Sequence, residues 1–114
     1  MNRLIKLTQE ELDSIILTYI QADTPILLEH YDLDGLTLKG NFNHGRILHC
    51  NLFNCNMSFV SLRYGLVADC SIRNTDLSNS NLEHCWVENS KIVKCIMDNA
   101  ILDGCYLKDC SVLF

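Results

Sequence analysis

From Phe42 to Val112 every fifth residue is apolar, an unbroken run of fifteen that passes through Ile47, Leu62, Leu82 and Leu102. Two positions ahead of each stands a small residue, from Gly40, Gly45 and Cys50 through to Cys105 and Cys110, and Val60 alone exceeds threonine in size. With about half the residues of an average chain apolar, chance would produce such a run about once in thirty thousand trials. A period of five fits neither the period of about 3.6 of a helix nor the period of about 2 of a strand. It is an internal repeat, and a unit of five cannot bury anything alone. Units must stack around one continuous core. The large residue fills a narrow interior and the small one lets the backbone turn close to it. The other three positions are mostly Asn, Asp, Ser, Arg, Lys, Glu and His, which suits a solvated exterior.

Upstream the register is lost. Leu33, Leu36 and Leu38 fall out of phase, so residues 31–39 read as an irregular lead-in. Further back, Thr8 and Glu11 have the spacing of a capping box, with Leu7 and Leu12 as its hydrophobic staple. Leu12, Ile15, Ile16, Tyr19 and Ile20 recur on one helical face, which predicts an amphipathic helix over 9–20. Thr24-Pro25 is a second start signal and predicts a single helical turn through Glu29. The apolar face of the first helix could engage a partner; the favoured reading is that it covers the open end of the stack.

The units Thr75-Asp76-Leu77-Ser78-Asn79, Ser80-Asn81-Leu82-Glu83-His84 and Cys50-Asn51-Leu52-Phe53-Asn54 resemble pentapeptide repeats, whose pattern is small, Asp or Asn, Leu or Phe, Ser or Thr, any. The resemblance covers residues 40–114 in one phase. At the outward positions it is loose, since Asp or Asn precedes the central residue only at Asn41, Asn51, Asn56, Asp76 and Asn81. It implies an all-β solenoid: a right-handed quadrilateral β-helix of about four coils, four units to a coil, with an N-terminal helical cap. Residues 1–34 are then the cap and lead-in, and residues 35–114 the β-helix.

The net charge is −5, and its distribution matters more than its sum. Residues 1–34 carry seven acidic and two basic side chains, whereas residues 40–114 carry seven and six, so the coil is nearly neutral. No basic stripe emerges, which argues against direct nucleic-acid binding. There is no charged leader followed by an apolar core, and no apolar run near eighteen residues. A soluble cytoplasmic protein without membrane contact is expected.

All seven cysteines occupy the small inward position. Zinc requires ligands that converge, and on a square coil Cys50 and Cys55, or Cys105 and Cys110, fall on successive faces. Residues twenty apart would stack at about 4.8 Å, placing Cys50 over Cys70 and Cys85 over Cys105 within bridging distance. The odd count and a cytosolic setting favour free thiols that pack as small hydrophobes. No metal and no cofactor are expected. His44, Tyr64, His84 and Gly104 form one column, and His49, Asp69, Asn89 and Asp109 another, with His49 and Asp69 as a surface pair. A filled solenoid has flat faces and no pocket, and no phosphate-binding or metal motif is present. The chain reads as a non-catalytic protein.

The stacked faces differ. Arg46, Leu66, Trp86 and Tyr106 share one column, residue types enriched at binding hot spots, beside Leu48, Ala68, Glu88 and Lys108. Phe53, Arg73, Val93 and Leu113 form a column on the adjoining face. This points to a protein-binding module whose candidate contact residues are Arg46, Leu66, Trp86 and Tyr106. The resemblance adds DNA mimicry, as in inhibitors of DNA-acting enzymes such as gyrase or of CRISPR effectors, for which Asp69, Glu83, Asp103 and Asp109 are the candidate acidic surface. The alternative is a structural, scaffold or targeting element. The resemblance also implies a homodimer through residues 105–114, with Leu107, Val112, Leu113 and Phe114 at its interface.

Overall fold

Arg46 pairs with Leu66, Leu66 with Trp86, and Trp86 with Tyr106, each twenty residues further along the chain. Four units of five therefore complete one turn. The computed structural model describes residues 3–113 as an all-parallel β-solenoid of about four turns with one helix near its N-terminus. Two of the four faces are continuous sheets. On the Ile47 face lie β2 (Leu27–Glu29), β4 (Arg46–Leu48), β6 (Leu66–Ala68), β8 (Trp86–Glu88) and β10 (Tyr106–Lys108). On the Leu52 face lie β1 (Ile5–Lys6), β3 (Tyr31–Asp32), β5 (Asn51–Phe53), β7 (Ser71–Arg73), β9 (Lys91–Val93) and β11 (Ser111–Leu113).

The other two faces, centred on Met57 and Leu62, are held by single bridges, Asn56–Asp76–Ile96 and Asn41–Ser61–Asn81–Ile101. Tight backbone turns explain the difference. On these two faces the N–H three residues after each of Phe42, Met57, Leu62, Leu77, Leu82, Met97 and Leu102 donates to that residue's carbonyl. The side-chain oxygens of Asn41, Asn56, Asp76 and Asn81 accept backbone N–H groups two residues on, at 2.9, 3.0, 2.9 and 3.1 Å. Such Asx bonds support the turn in the units that have them. Asn51, the fifth position of this type, sits instead in β5, where its Oδ1 is buried without a hydrogen-bond partner.

Every corner from residue 44 to residue 109 is a left-handed residue. Asn54, Asn74, Asn79, Asn89 and Asn99, His44, His49 and His84, Asp69 and Asp109, and Gly104 supply most of them. These are the types that tolerate positive φ. The fifth position of the repeat, open to any residue in the family pattern, is filled mostly by these types here, and all four histidines, His30 of the first coil included, serve as corner residues.

The expected irregular lead-in is a first coil displaced by one residue. Leu28, Leu33 and Leu38 are five apart and fully buried. Leu28 pairs with Ile47, Asp32 with Asn51 and Thr37 with Asn56, each nineteen residues ahead rather than twenty. The missing residue falls between Leu38 and Phe42, where Gly40 is exposed at a φ of 108° and does not take the inward place its spacing suggested. The paired strands β1, β2 and β3 all lie within residues 1–34. Thr24-Pro25 leads into β2 and not into a helical turn, because Leu28 is drawn into line with Ile47.

The helix α1 (Gln9–Gln21) closes the N-terminal end. Thr8 Oγ1 accepts from the Glu11 N–H at 3.1 Å and Glu11 Oε1 accepts from the Thr8 N–H at 2.9 Å, so the capping box forms. Leu12 and Ile16 are buried in one core with Leu28, Leu33 and Leu38. Ile20, assigned to the covered face by its spacing, is exposed in the last turn before the chain bends at Asp23. No described helix is long and apolar enough to cross a membrane.

Candidate interaction surface

The register of the Ile47 face brings Arg46, Leu66, Trp86 and Tyr106 into one outward column. Trp86 is 42% and Tyr106 51% exposed, and their ring centroids lie 4.3 Å apart at an interplanar angle of 37°. Leu27 extends the column above Arg46. In the parallel column beside it, Leu48 is half-buried and Ala68 is buried. Below them Lys108 Nζ lies 3.9 Å from Glu88 Oε1. The result is an apolar and aromatic strip across a flat sheet, bordered by charge. Leu27 escaped the sequence reading because the one-residue shift hid its alignment with Arg46.

The four candidate acidic residues do not form one negative face. Glu83 Oε1 accepts from Arg63 Nε at 2.8 Å, and Asp69 Oδ2 lies 3.6 Å from His49 Nε2. Asp103 and Asp109 are exposed in the last coil. Above Asp69, the His49 ring stacks on His30 at 4.9 Å. At another corner His44, Tyr64 and His84 stack in series at 5.4 and 4.9 Å, with the Arg63 guanidinium 5.8 Å from the Tyr64 ring. Gly104 ends that column. A Cβ there would run into the His84 ring.

The thiols are part of the packing. Cys70 donates to the carbonyl of Ile47 at 3.4 Å, Cys95 to that of Ile72 at 3.6 Å and Cys110 to that of Val87 at 3.4 Å, each reaching the coil above. The Thr75 hydroxyl does the same to Leu52 at 2.6 Å. All seven cysteines are free. Burial pushes the Cys70 and Cys85 thiols up to about 12 and those of Cys50 and Cys55 to about 11, which keeps them protonated and poorly nucleophilic.

The interior is not filled as expected. A cavity of 270 Å³ runs along the axis between the Ile47 and Leu107 levels, walled by central side chains such as Val67, Ile72, Val87 and Ile92. Val67 and Val87 are smaller than the Leu or Phe of the family pattern, a signal that periodicity alone does not weigh. The wall is almost wholly apolar and offers no acid–base pair. At the C-terminal coil Leu107, Val112 and Leu113 are exposed. Phe114, the fourth candidate at the dimer interface, lies outside the described residues.

Among solved structures, the chain is similar to HetL, a pentapeptide repeat protein involved in heterocyst differentiation regulation from the cyanobacterium Nostoc sp. strain PCC 7120 (TM-score 0.67, 19% identity). That match takes in 70% of this chain but only 38% of HetL, and the likeness is one of fold. Rfr23 from the cyanobacterium Cyanothece 51142 matches at 12% identity over 88% of this chain and 98% of its own, with a TM-score of 0.49. QnrB1, a plasmid-mediated fluoroquinolone resistance protein, matches at 17% identity over 74% and 54%, with a TM-score of 0.40. No curated protein matches the sequence. The family model for pentapeptide repeats matches eight copies across residues 50–86 and 70–109, more than half of the chain. Members of that family are generally non-catalytic structural or binding proteins. With the five-residue period, the square coil and this match in agreement, the chain belongs to the pentapeptide-repeat family.

Proposed function

We propose that this protein is a non-catalytic interaction module that grips a protein partner with its Ile47 face. The observation that carries the reading is the aromatic strip, with Trp86 and Tyr106 exposed on a five-stranded sheet in one column with Leu66 and Arg46. Leu48 and Ala68 lie beside Arg46 and Leu66. Exposed apolar surface that includes Trp, Tyr and Arg has the composition of binding hot spots. Free buried thiols fit a reducing compartment such as the cytoplasm. A second copy pairing along β10 and β11 would cover Leu107, Val112 and Leu113 and give a homodimer.

DNA mimicry directed at gyrase, a topoisomerase or a CRISPR effector is the more specific form of an inhibitory role. It needs a run of unmatched carboxylates, and the pairs Arg63–Glu83, His49–Asp69 and Lys108–Glu88 weigh against it. A scaffold role would use the same module without inhibition. Pull-downs from a bacterial lysate, with a gyrase supercoiling assay alongside, separate the readings. A partner lost with Trp86→Ala but kept with Glu83→Gln plus Asp103→Asn supports the aromatic face. The opposite pattern, or inhibition of supercoiling that depends on the carboxylates, overturns it in favour of mimicry.

A further inference from the structure

The axial cavity is reached from the C-terminal side. On the Leu62 face the central side chain is 1% exposed at Leu62, 8% at Leu82 and 44% at Leu102. The Ile47 face shows the same gradient, from 1% at Ile47 through 5% at Val87 to 50% at Leu107. Val87 has coils both above and below it, so its residual exposure is to the interior. At the other end Phe42, Leu12 and Leu28 are fully buried and close the passage. Among the described residues of the single chain the cavity is a blind channel with its mouth between Leu102, Leu107 and Val112. A second copy pairing along β10 and β11 would cover that mouth, so the ligand enters the monomer.

Its chemistry narrows the occupant. The lining is aliphatic apart from the sulfur atoms of Met57, Met97, Cys85 and Cys105. A water needs two to four polar partners and finds none of useful strength here. Three coil steps separate Ile47 from Leu107, so at about 4.8 Å a step the channel is roughly 14 Å long. Spread over that length, 270 Å³ leaves a lumen about as wide as one extended alkyl chain, which disfavours cages and branches. An apolar cavity of about 150 Å³ takes up benzene, so this one has room for a chain of roughly ten carbons. We propose that the channel binds one unbranched alkyl chain, that of a fatty acid or long-chain alcohol, inserted methyl end first with the head group outside the mouth.

The test uses the full chain with decanoic acid and 1-decanol, and 1-adamantanol as a caged compound of equal carbon count. Both linear compounds should raise Tm saturably by several degrees with one site per chain, and the caged one should not. Val67→Ile plus Val87→Ile narrows the channel while conserving β-branching, and should weaken decanoate by about tenfold or more. Flotation on phosphatidylcholine vesicles distinguishes the source of the chain. Decanoate binding without flotation supports a free amphiphile, and binding with flotation supports an acyl chain drawn from a membrane. No saturable binding of either linear compound overturns the proposal. So does equal binding of 1-adamantanol, or unchanged affinity in a folded double variant.

Discussion

Gln9 and Thr37 hold one another through two hydrogen bonds: Gln9 Nε2 donates to the Thr37 carbonyl at 2.8 Å, and the Thr37 N–H donates to Gln9 Oε1 at 2.8 Å. Thr37 is the uppermost residue of the Met57 face and bridges Asn56 below it. A primary amide presents the same donor and acceptor as a peptide group, so Gln9 stands in for the strand of a missing coil and closes an edge that would otherwise invite pairing. Gln9→Ala should lower stability by about 1–2 kcal/mol. It should also raise amide exchange at Thr37, and unchanged protection there would refute this role.

Alkali should loosen the fold through its thiols. Cys70 and Cys85 hold their protons up to about 12 when folded, against 9.0 for the ordinary thiol. Above pH 9 the unfolded chain releases protons that the native state keeps, so stability is complete below pH 9 and falls as pH rises towards 12. Urea midpoints between pH 7 and 10.5 should decline for the wild type and less steeply for Cys70→Ser. Identical slopes would contradict the assignment.

The inward position should reject bulk. Cys70→Leu should cost about 1–3 kcal/mol by overpacking, since the thiol already sits against the Ile47 and Ala68 carbonyls. Cys70→Ala and Cys70→Ser should be milder, Ser because the Thr75 hydroxyl fills the equivalent place. Equal losses of Tm in all three would show that the thiol has a role beyond packing.

Gly104→Ala meets two penalties, a φ of +70° and the His84 ring. Together they should cost about 1–2 kcal/mol. In a double-mutant cycle with His84→Ala the collision disappears and only the backbone strain remains, so the two changes should be non-additive. Strict additivity would mean that the ring does not cover Gly104.

If a second copy pairs along β10 and β11, light scattering should give a dimer mass that falls to a monomer on Leu113→Asp. A wild-type monomer at high micromolar concentration would reject the contact.

The five-residue period was enough to place Leu52, Leu77 and Leu82 inward and to align Trp86 with Leu66 and Tyr106, because stacking multiplies one register over every coil. It failed at Leu28, Leu33 and Leu38, which keep the spacing but sit one residue out of phase; a single step of four, from Leu38 to Phe42, broke the count. The corner role of His44, His49 and His84 lay in backbone conformation, and only the abundance of Asn, Asp and His at those places hinted at it. The channel went unread because Val67 and Val87 count as apolar just as leucine does, whereas the cavity depends on their volume.

The short first coil also constrains how this chain can change length. Downstream of Gly45 every turn is interchangeable. Excising residues 66–85 would join Gly65 to Trp86 with corner, small and central residues still in order, and the shorter protein should keep its helix, its first coil and its partner-facing column. Loss or gain of a number that is not a multiple of five would turn later central residues such as Leu82 outward or Trp86 inward. One, two or three units of five would keep them inward or outward but carry every later column to another face. Growth and shrinkage here are quantised in whole turns, and the nineteen-residue step beneath the helix marks the one turn that cannot be exchanged for another.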